Sequence, residues 1–161
     1  MRATSPEPAE FEITTNARRF DLDTIHRFLS EESYWARGIP RDVVVRSIQN
    51  SLCFAILERS SQAQVGFARV TTDRATFAYL ADVFVLPAHR GRGLSKWLMR
   101  VILAHGDLQG LRRWMLGTRD AHSLYAGFGF TPLPQPDRFM QLHQPDVYAK
   151  EPPAAEVAAG G

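Results

Sequence analysis

A short run of glycines and arginines is the clearest candidate for chemistry in this 161-residue sequence. Residues 90–95 read Arg-Gly-Arg-Gly-Leu-Ser and lie between an apolar stretch, 80–86, and an amphipathic stretch that begins at about Leu94. A helix that begins here leaves its first main-chain N–H groups without intrahelical acceptors, and its dipole adds partial positive charge. Gly91 and Gly93 allow a ligand to approach the main chain, and the arginines supply charge. The segment therefore predicts a site for phosphate groups.

Two common nucleotide-binding motifs do not match this stretch. A P-loop requires four residues between a glycine and a final Gly-Lys-Ser/Thr, and the sequence has no such run. A dinucleotide fingerprint requires Gly-x-Gly-x-x-Gly, and no third glycine follows Gly91 and Gly93 at that spacing. The pattern that remains is Arg-x-x-Gly-x-Ser over residues 90–95.

Composition predicts an ordinary globular chain. Hydrophobic residues make up 45% and charged residues 22%, which favours a domain with a sizeable core over a disordered chain. We expect a flexible arm over 1–10, a single domain over 11–148 and a disordered tail over 149–161. The start of the chain lacks the apolar core of a signal peptide, and no apolar run is long enough for a bilayer. A cytoplasmic location without membrane contact is therefore expected.

Charge and metal-binding residue types narrow the function classes. The net charge is +2 and the pI about 9.0, a balance that suits an anionic small ligand as well as nucleic acid. The single cysteine, Cys53, excludes a disulfide framework and a Cys-based zinc site, and its apolar strand makes it a packing residue. The five histidines show no metal-ligand spacing, so no metal is expected.

Hydrophobic periodicity predicts strands and helices in a mixed order. Strands are expected at 11–15, 52–58, 65–70, 76–86 and 113–118, with further strands near Thr131 and over 139–142. Helices are expected after Asp21 or Asp23, over 42–49, from about Leu94 to His105, and over 121–126. Antiparallel strands followed by alternating helices and strands predict an α+β fold built on a mixed sheet.

Two motifs, in this order, resemble those of the GNAT superfamily of N-acetyltransferases. Residues 83–95 look like its acyl-CoA-binding motif, Arg/Gln-x-x-Gly-x-Gly/Ala, and residues 120–130 resemble its Ala-x-x-Leu-Tyr-x-x-x-Gly-Phe signature. The resemblance covers about residues 10–142. It implies the GNAT-like fold, with a mostly antiparallel sheet of six to seven strands and about four helices. Ser95 departs from the usual Gly or Ala, and Thr118 from the common Asn.

The resemblance implies an acetyl-CoA-dependent acyltransferase. Acetyl would pass to a primary amine of a small molecule or peptide by direct attack in a ternary complex. The pyrophosphate of acetyl-CoA would lie on the loop amides and the pantetheine arm along the preceding strand. The cofactor-binding residues so implied are Val83, Phe84, Val85, Arg90, Gly91, Arg92, Gly93, Leu94 and Ser95. Tyr125 is implied as the acid that protonates the departing thiolate, which a phenol of pKa about 10 can do.

Three further residues are candidates for the acceptor side of this site. Asp82 is a predicted general base, because strand alternation places it with Leu80 and Phe84 on an apolar face where desolvation raises a carboxyl pKa. Pairing with an arginine such as Arg69 is the alternative. Tyr34 and Trp35 lie between the first two helices, a region that walls the acceptor pocket in the superfamily. Contact with the acceptor and packing at the end of the core both stay open for them.

Two other functions stay open at this point. A non-catalytic acyl-CoA-binding or regulatory domain would keep the phosphate loop without needing Tyr125 or Asp82. Nucleic-acid binding would depend on the pI and on arginine pairs at 18–19 and 112–113. Those pairs are scattered and are not interleaved with exposed aromatic residues, so no nucleic-acid partner is expected. The chain is expected to be a monomer or a homodimer.

Overall fold

Apolar strands pair into one mixed sheet in the computed structural model, which describes residues 8–149. The strands are β1 (Phe11–Thr14), β2 (Leu52–Glu58), β3 (Gln64–Thr72), β4 (Phe77–Val85) and β5 (Arg113–Leu116). They lie side by side in the order β1-β2-β3-β4-β5. The first four run antiparallel to their neighbours, and β5 runs parallel to β4. The predicted mixed sheet is confirmed.

Within the described residues, four α-helices accompany the sheet. They are α1 (Leu22–Arg27), α2 (Arg41–Gln49), α3 (Leu94–Ala104) and α4 (His122–Ala126). Asp21 is the N-cap of α1, because its carboxylate accepts the Thr24 N–H at 3.1 Å. A π-helical turn, Phe28–Glu32, continues α1. Short 3₁₀ turns lie at Ala17–Arg19, Pro87–His89, Gly106–Leu108 and Pro136–Arg138.

The sheet buries a separate apolar cluster on each face. On one face, α3 packs against the strands, and the buried side chains there include Phe54, Val70, Leu80, Leu98 and Ile102. On the other face, α1 and α2 pack against the strands, and the buried side chains there include Ile25, Phe28, Val44, Phe67 and Phe84. Because both faces are covered, β2 reads as a continuous apolar run rather than an alternating one.

A β-bulge in β4 corrects the expected position of Asp82. Phe67 of β3 lies opposite Phe84 and Arg69 opposite Ala81, so one β3 residue faces two residues of β4. The extra residue reverses the side-chain alternation, and Leu80 and Phe84 consequently pack in different clusters. The expectation that Asp82 shares one apolar face with both of them is wrong.

The two strands expected after α4 are absent. The structure assigns no strand near Thr131 or over 139–142, so the described part of the chain has five strands rather than six to seven. Pro132, Pro134 and Pro136 carry no N–H and cannot donate to a strand ladder. Beyond them, Met140 and Leu142 are 99% and 95% exposed.

The ends of the expected domain lie partly outside the described residues. Of the predicted arm, only residues 8–10 are described, and they form a turn in which Phe11 N–H donates to the Pro8 carbonyl at 3.0 Å. Residues 1–7 and nearly all of the predicted tail lie outside the described range. Within residues 8–149, no helix is both long and apolar enough to cross a membrane.

Close packing at Gly66 holds the second half of β4 in place, and this generates a stability prediction. A Cβ at Gly66 would lie 2.8 Å from Ile56 Cδ1 and 3.1 Å from the Phe84 carbonyl oxygen. Gly66→Ala should therefore lower the free energy of unfolding by about 1–3 kcal/mol, measured by urea denaturation. Gly106→Ala is the matched control, because a Cβ there meets no atom within 4 Å. Equal stability of the two variants would contradict this packing constraint.

Candidate active site

The sheet opens between β4 and β5, and this opening creates the candidate site. Residues 77–80 of β4 pair with 113–116 of β5, and then β5 ends. The strand β4 continues to Val85 with only β3 beside it. Main-chain groups on the outer edge of residues 81–85 therefore face the opening rather than a neighbouring strand. A cavity of about 560 Å³ lies there.

Five predicted site residues line this cavity. Tyr34 and Trp35 enter from the connection between α1 and α2, Asp82 and Val83 from β4, and Tyr125 from α4. Arg69, residues 79–81 and residues 116–121 complete the lining. The structure thus brings together residues that lie up to 91 positions apart (125 − 34) in the sequence.

Tyr125 lines the cavity with a largely buried side chain. It is 8% exposed, and its ring meets the Phe130 ring at a centroid distance of 5.9 Å in an edge-to-face arrangement. Burial raises the pKa of Tyr125 to about 12, with smaller contributions from Tyr34 and Asp120. The phenol therefore keeps its proton throughout the neutral range, as a proton donor must.

The carboxylate of Asp82 is fully engaged. Its Oδ2 accepts from Arg69 Nε at 2.7 Å, and its Oδ1 accepts from Trp35 Nε1 at 2.9 Å. Arg69 in turn donates to the hydroxyls of Ser51 and Thr71 at 3.2 and 3.0 Å. Asp82 is only 9% exposed, so these contacts replace most of its hydration. The expected pairing with Arg69 is present, and the role of general base stays a prediction.

Local hydrogen bonds present Tyr34 and Trp35 to the cavity. Ser33 is buried and donates its hydroxyl to the Leu29 carbonyl at 2.6 Å, while accepting the Ala36 N–H at 3.1 Å. Ala36 is also buried, so the turn is anchored on both sides of the two aromatic residues. Tyr34 and Trp35 are each 42% exposed, and their rings meet edge to face at 5.0 Å.

The glycine loop ends in a set of free amides. The main-chain N–H groups of residues 91–96 donate to no acceptor among residues 8–149. Gly93 is the N-cap of α3, and no side chain caps this helix. Gly91 and Gly93 adopt φ values of +79° and +75°, a region that favours glycine, and a Cβ at either would meet no atom within 4 Å. The loop is therefore open to an anion.

The two arginines of the loop, Arg90 and Arg92, both contact other parts of the protein. Arg90 donates through Nε to the Val85 carbonyl at 3.0 Å. Arg92 lies 3.7 Å from a carboxylate oxygen of Glu10 and stacks near the Phe11 ring at 5.9 Å. Both arginines are exposed, so the guanidinium groups remain accessible at the surface.

The other predicted cofactor residues, apart from the glycines, have buried or half-buried side chains. Phe84 stacks on Phe28 with a centroid distance of 4.0 Å, and Val85 and Leu94 are buried in the core. Val83 and Ser95 are half-buried. Contact between β4 and a ligand would therefore use the backbone of this strand, as the resemblance implies.

The sequence does not single out two residues of the cavity. Arg119 donates its main-chain N–H to the Tyr34 hydroxyl at 2.9 Å, and its guanidinium carbon lies 4.0 Å from the Tyr34 ring centroid. Tyr79 lines the cavity wall and is 39% exposed. Thr118 accepts the Ala121 N–H at 3.0 Å and so stabilises the start of α4. Because Thr118 already stands out in the sequence, its neighbour Arg119 could have been considered as a site residue.

Burial raises the pKa of the Cys53 thiol to about 12, as befits a packing residue. Within the described range, His, Cys, Asp and Glu side chains form no group of three that could hold a metal ion.

Comparisons with known proteins give the family. The model of the Acetyltransferase (GNAT) family matches residues 22–130. A protein of Gibberella zeae assigned as an acetyltransferase is 32% identical over 136 residues, which cover 72% of this chain and 76% of the relative. A crystal structure of a GNAT-family protein from Xanthomonas campestris pv. campestris is 51% identical with a TM-score of 0.84, covering 87% of this chain and 97% of that one.

A more distant structure shares the fold. It is a GNAT family acetyltransferase from Elizabethkingia anophelis with acetyl-CoA bound, 10% identical with a TM-score of 0.57, covering 77% of this chain and 78% of that one. The family match spans more than half of the sequence and includes both the glycine loop and the segment that carries Tyr125. The chain belongs to the GNAT acetyltransferase family.

Proposed function

We propose that this protein transfers the acetyl group of acetyl-CoA to a primary amine, with both substrates bound together. One observation carries the proposal. The free half of β4 joins the open amides of residues 91–96 at one end to the cavity that holds Tyr125 at the other. An extended ligand with a phosphate end and a reactive end fits such a path, and the acetyl-CoA bound to the distant family member has both.

The residues present fit acetyl-CoA. Pyrophosphate oxygens would accept from the amides of residues 91–96, with Arg90 and Arg92 beside them, because a helix N-terminus favours negative charge. The free edge of 83–85 would pair with the amide groups of the pantetheine arm. When bound, acetyl-CoA would supply an acetyl group already activated as a thioester.

The chain itself would supply alignment, polarisation and a proton. A main-chain N–H on the free edge of β4 would donate to the thioester carbonyl oxygen as negative charge develops. Tyr125 would give its proton to the departing sulfur, since its raised pKa keeps the phenol protonated. Holding the amine beside the thioester would account for much of the acceleration.

The acceptor side favours an amine with some apolar surface. Tyr34, Trp35 and Tyr79 each leave roughly two-fifths of their surface exposed in or beside the cavity. Aromatic rings bind apolar groups and cations alike, which suits a protonated amine before it gives its proton to water.

The first prediction concerns Tyr125. Tyr125→Phe should lower kcat by about 10²-fold or more, because general-acid catalysis contributes of this order, while the dissociation constant of CoA stays the same. Thiol release from acetyl-CoA in an amine screen measures kcat, and calorimetry measures the dissociation constant of CoA. Tyr148→Phe is the control, because this half-buried tyrosine packs near Gly38, away from the cavity. Wild-type turnover in Tyr125→Phe would remove this residue from the mechanism.

The second prediction concerns the ionisation of the same tyrosine. Because burial raises the pKa of Tyr125 to about 12, its phenolate should form well above the ordinary value of about 10. Ultraviolet titration of the wild type minus Tyr125→Phe measures this ionisation. The favourable contribution to stability is present below pH 10 and is lost as the pH rises through about 12. A difference spectrum that titrates near 10 would contradict the buried environment.

The third prediction concerns the loop. Arg90→Ala combined with Arg92→Ala should weaken CoA binding by about tenfold or more, since each charge-assisted hydrogen bond contributes about 1.5–3 kcal/mol. Calorimetric titration at two salt concentrations measures the change. Arg46→Ala, on the exposed surface of α2, is the control. Unchanged CoA affinity would contradict the phosphate site, and CoA binding without thiol release from any amine would favour a non-catalytic acyl-CoA-binding domain.

A further inference from the structure

We infer that Asp82 and Arg119 are positioning residues, which hold Trp35 and Tyr34 in place as the wall of the acceptor cavity. The inference deepens the proposed function and rests on it for the identity of the cavity as the acceptor site. It assigns Asp82 a role different from that of a general base, and it gives Arg119 a role that the sequence does not indicate.

The first attachment joins the wall to β4. Trp35 Nε1 donates to Asp82 Oδ1 at 2.9 Å, and the other carboxylate oxygen is taken by Arg69 at 2.7 Å. Arg69 is itself fixed by two hydroxyls, so the carboxylate cannot turn without breaking a buried ion pair. A carboxylate held in this way is suited to fixing an indole and poorly suited to collecting a proton from a moving amine.

The backbone at Asp82 is strained in a way that serves this contact. Asp82 has a φ of +52°, a region that non-glycine residues rarely adopt. The strain coincides with the bulge opposite Ala68, which carries the carboxylate to the sheet face of Arg69 and Trp35. A regular strand would carry it toward the face of Leu80 and α3 instead. The bulge therefore lets β4 hold Trp35.

The second attachment joins the wall to the far side of the opening. Arg119, in the connection from β5 to α4, donates its N–H to the Tyr34 hydroxyl at 2.9 Å. Its guanidinium lies 4.0 Å from the centroid of the same ring, within the range of a cation–π contact. Because Tyr34 and Trp35 touch edge to face, the two aromatic rings form one wall attached to both β4 and the β5–α4 connection.

The wall restricts the acceptor by its shape. Its backbone is a tight turn between the buried Ser33 and Ala36, so the rings have little freedom once both attachments are made. Loss of either attachment frees a large aromatic side chain next to the reaction site. We therefore expect a weaker and less selective acceptor site, with the CoA loop unaffected because it lies at the other end of β4.

The test compares Asp82→Asn with Asp82→Ala in the full chain. Asn keeps an oxygen that can accept from Trp35 and removes the negative charge, whereas Ala removes both. The first readout needs no activity: the indole Nε1–H signal of Trp35 in nitrogen-15 NMR spectra, assigned with Trp35→Phe. We expect the proton chemical shift of this group to move upfield in Asp82→Ala and to change only slightly in Asp82→Asn.

The second readout is steady-state acetylation of phenethylamine and ethanolamine as probe acceptors. We expect Asp82→Ala to raise KM for phenethylamine about tenfold with kcat changed less than threefold, an unchanged pH–rate profile, and a smaller preference between the two amines. Asp82→Asn should remain within about threefold of the wild type in KM. Tyr34→Phe, which removes the hydroxyl that accepts from Arg119, should act in the same direction. Arg119→Ala, which removes the guanidinium over the Tyr34 ring, should do so too, and Arg112→Ala is its exposed-arginine control.

Two results would overturn the inference. One is an indole signal of Trp35 that is the same in the wild type and in Asp82→Ala. The other is a large loss of kcat in both Asp82→Asn and Asp82→Ala, together with the loss of one limb of the pH–rate profile. Removal of a general base would produce that result. If Asp82→Ala fails to fold, Trp35→Phe removes the same hydrogen bond and takes its place in the kinetic comparison. If the wild type releases thiol with no amine of the screen, the proposed function fails, while the NMR result still decides the attachment.

Discussion

The separation of two parallel strands is the constraint on which the rest of this structure depends. Only residues 77–80 of β4 pair with β5, and the remaining length of β4 has one free edge. A free edge inside a protein requires partners for its N–H and C=O groups, or a ligand that supplies them. The opening thus creates the cavity and leaves a strand edge with which an extended polar ligand can pair.

Packing on the two faces keeps the opening from closing. The α3 helix packs on one face of the sheet. Phe84 stacks on Phe28 on the opposite face, directly beyond the bulge. Arg90 ties the end of β4 to the loop by bonding the Val85 carbonyl. The strand is consequently held in an extended form although it has no neighbour on one side.

The bulge connects the two halves of the site. It places the Asp82 carboxylate on the face of the sheet that carries α1 and α2, where the ion pair with Arg69 and the bond to Trp35 form. The bulge lies just beyond Leu80, the last residue of β4 that pairs with β5. One local distortion therefore lies at the opening of the sheet and positions a wall of the cavity there.

The sequence by itself determined the family, the mixed sheet and the loop, because these depend on local patterns: the periodicity of apolar residues, the glycines at 91 and 93, and the spacing around Tyr125. Tertiary structure alone decided the bond between Trp35 and Asp82, the attachment of Tyr34 to Arg119 and the five-stranded extent of the sheet. The physical reason is that a bulge shifts every later side chain to the other face, and no glycine or proline marks this one. Contacts between residues 47 or 85 positions apart likewise leave no local pattern from which they could be predicted.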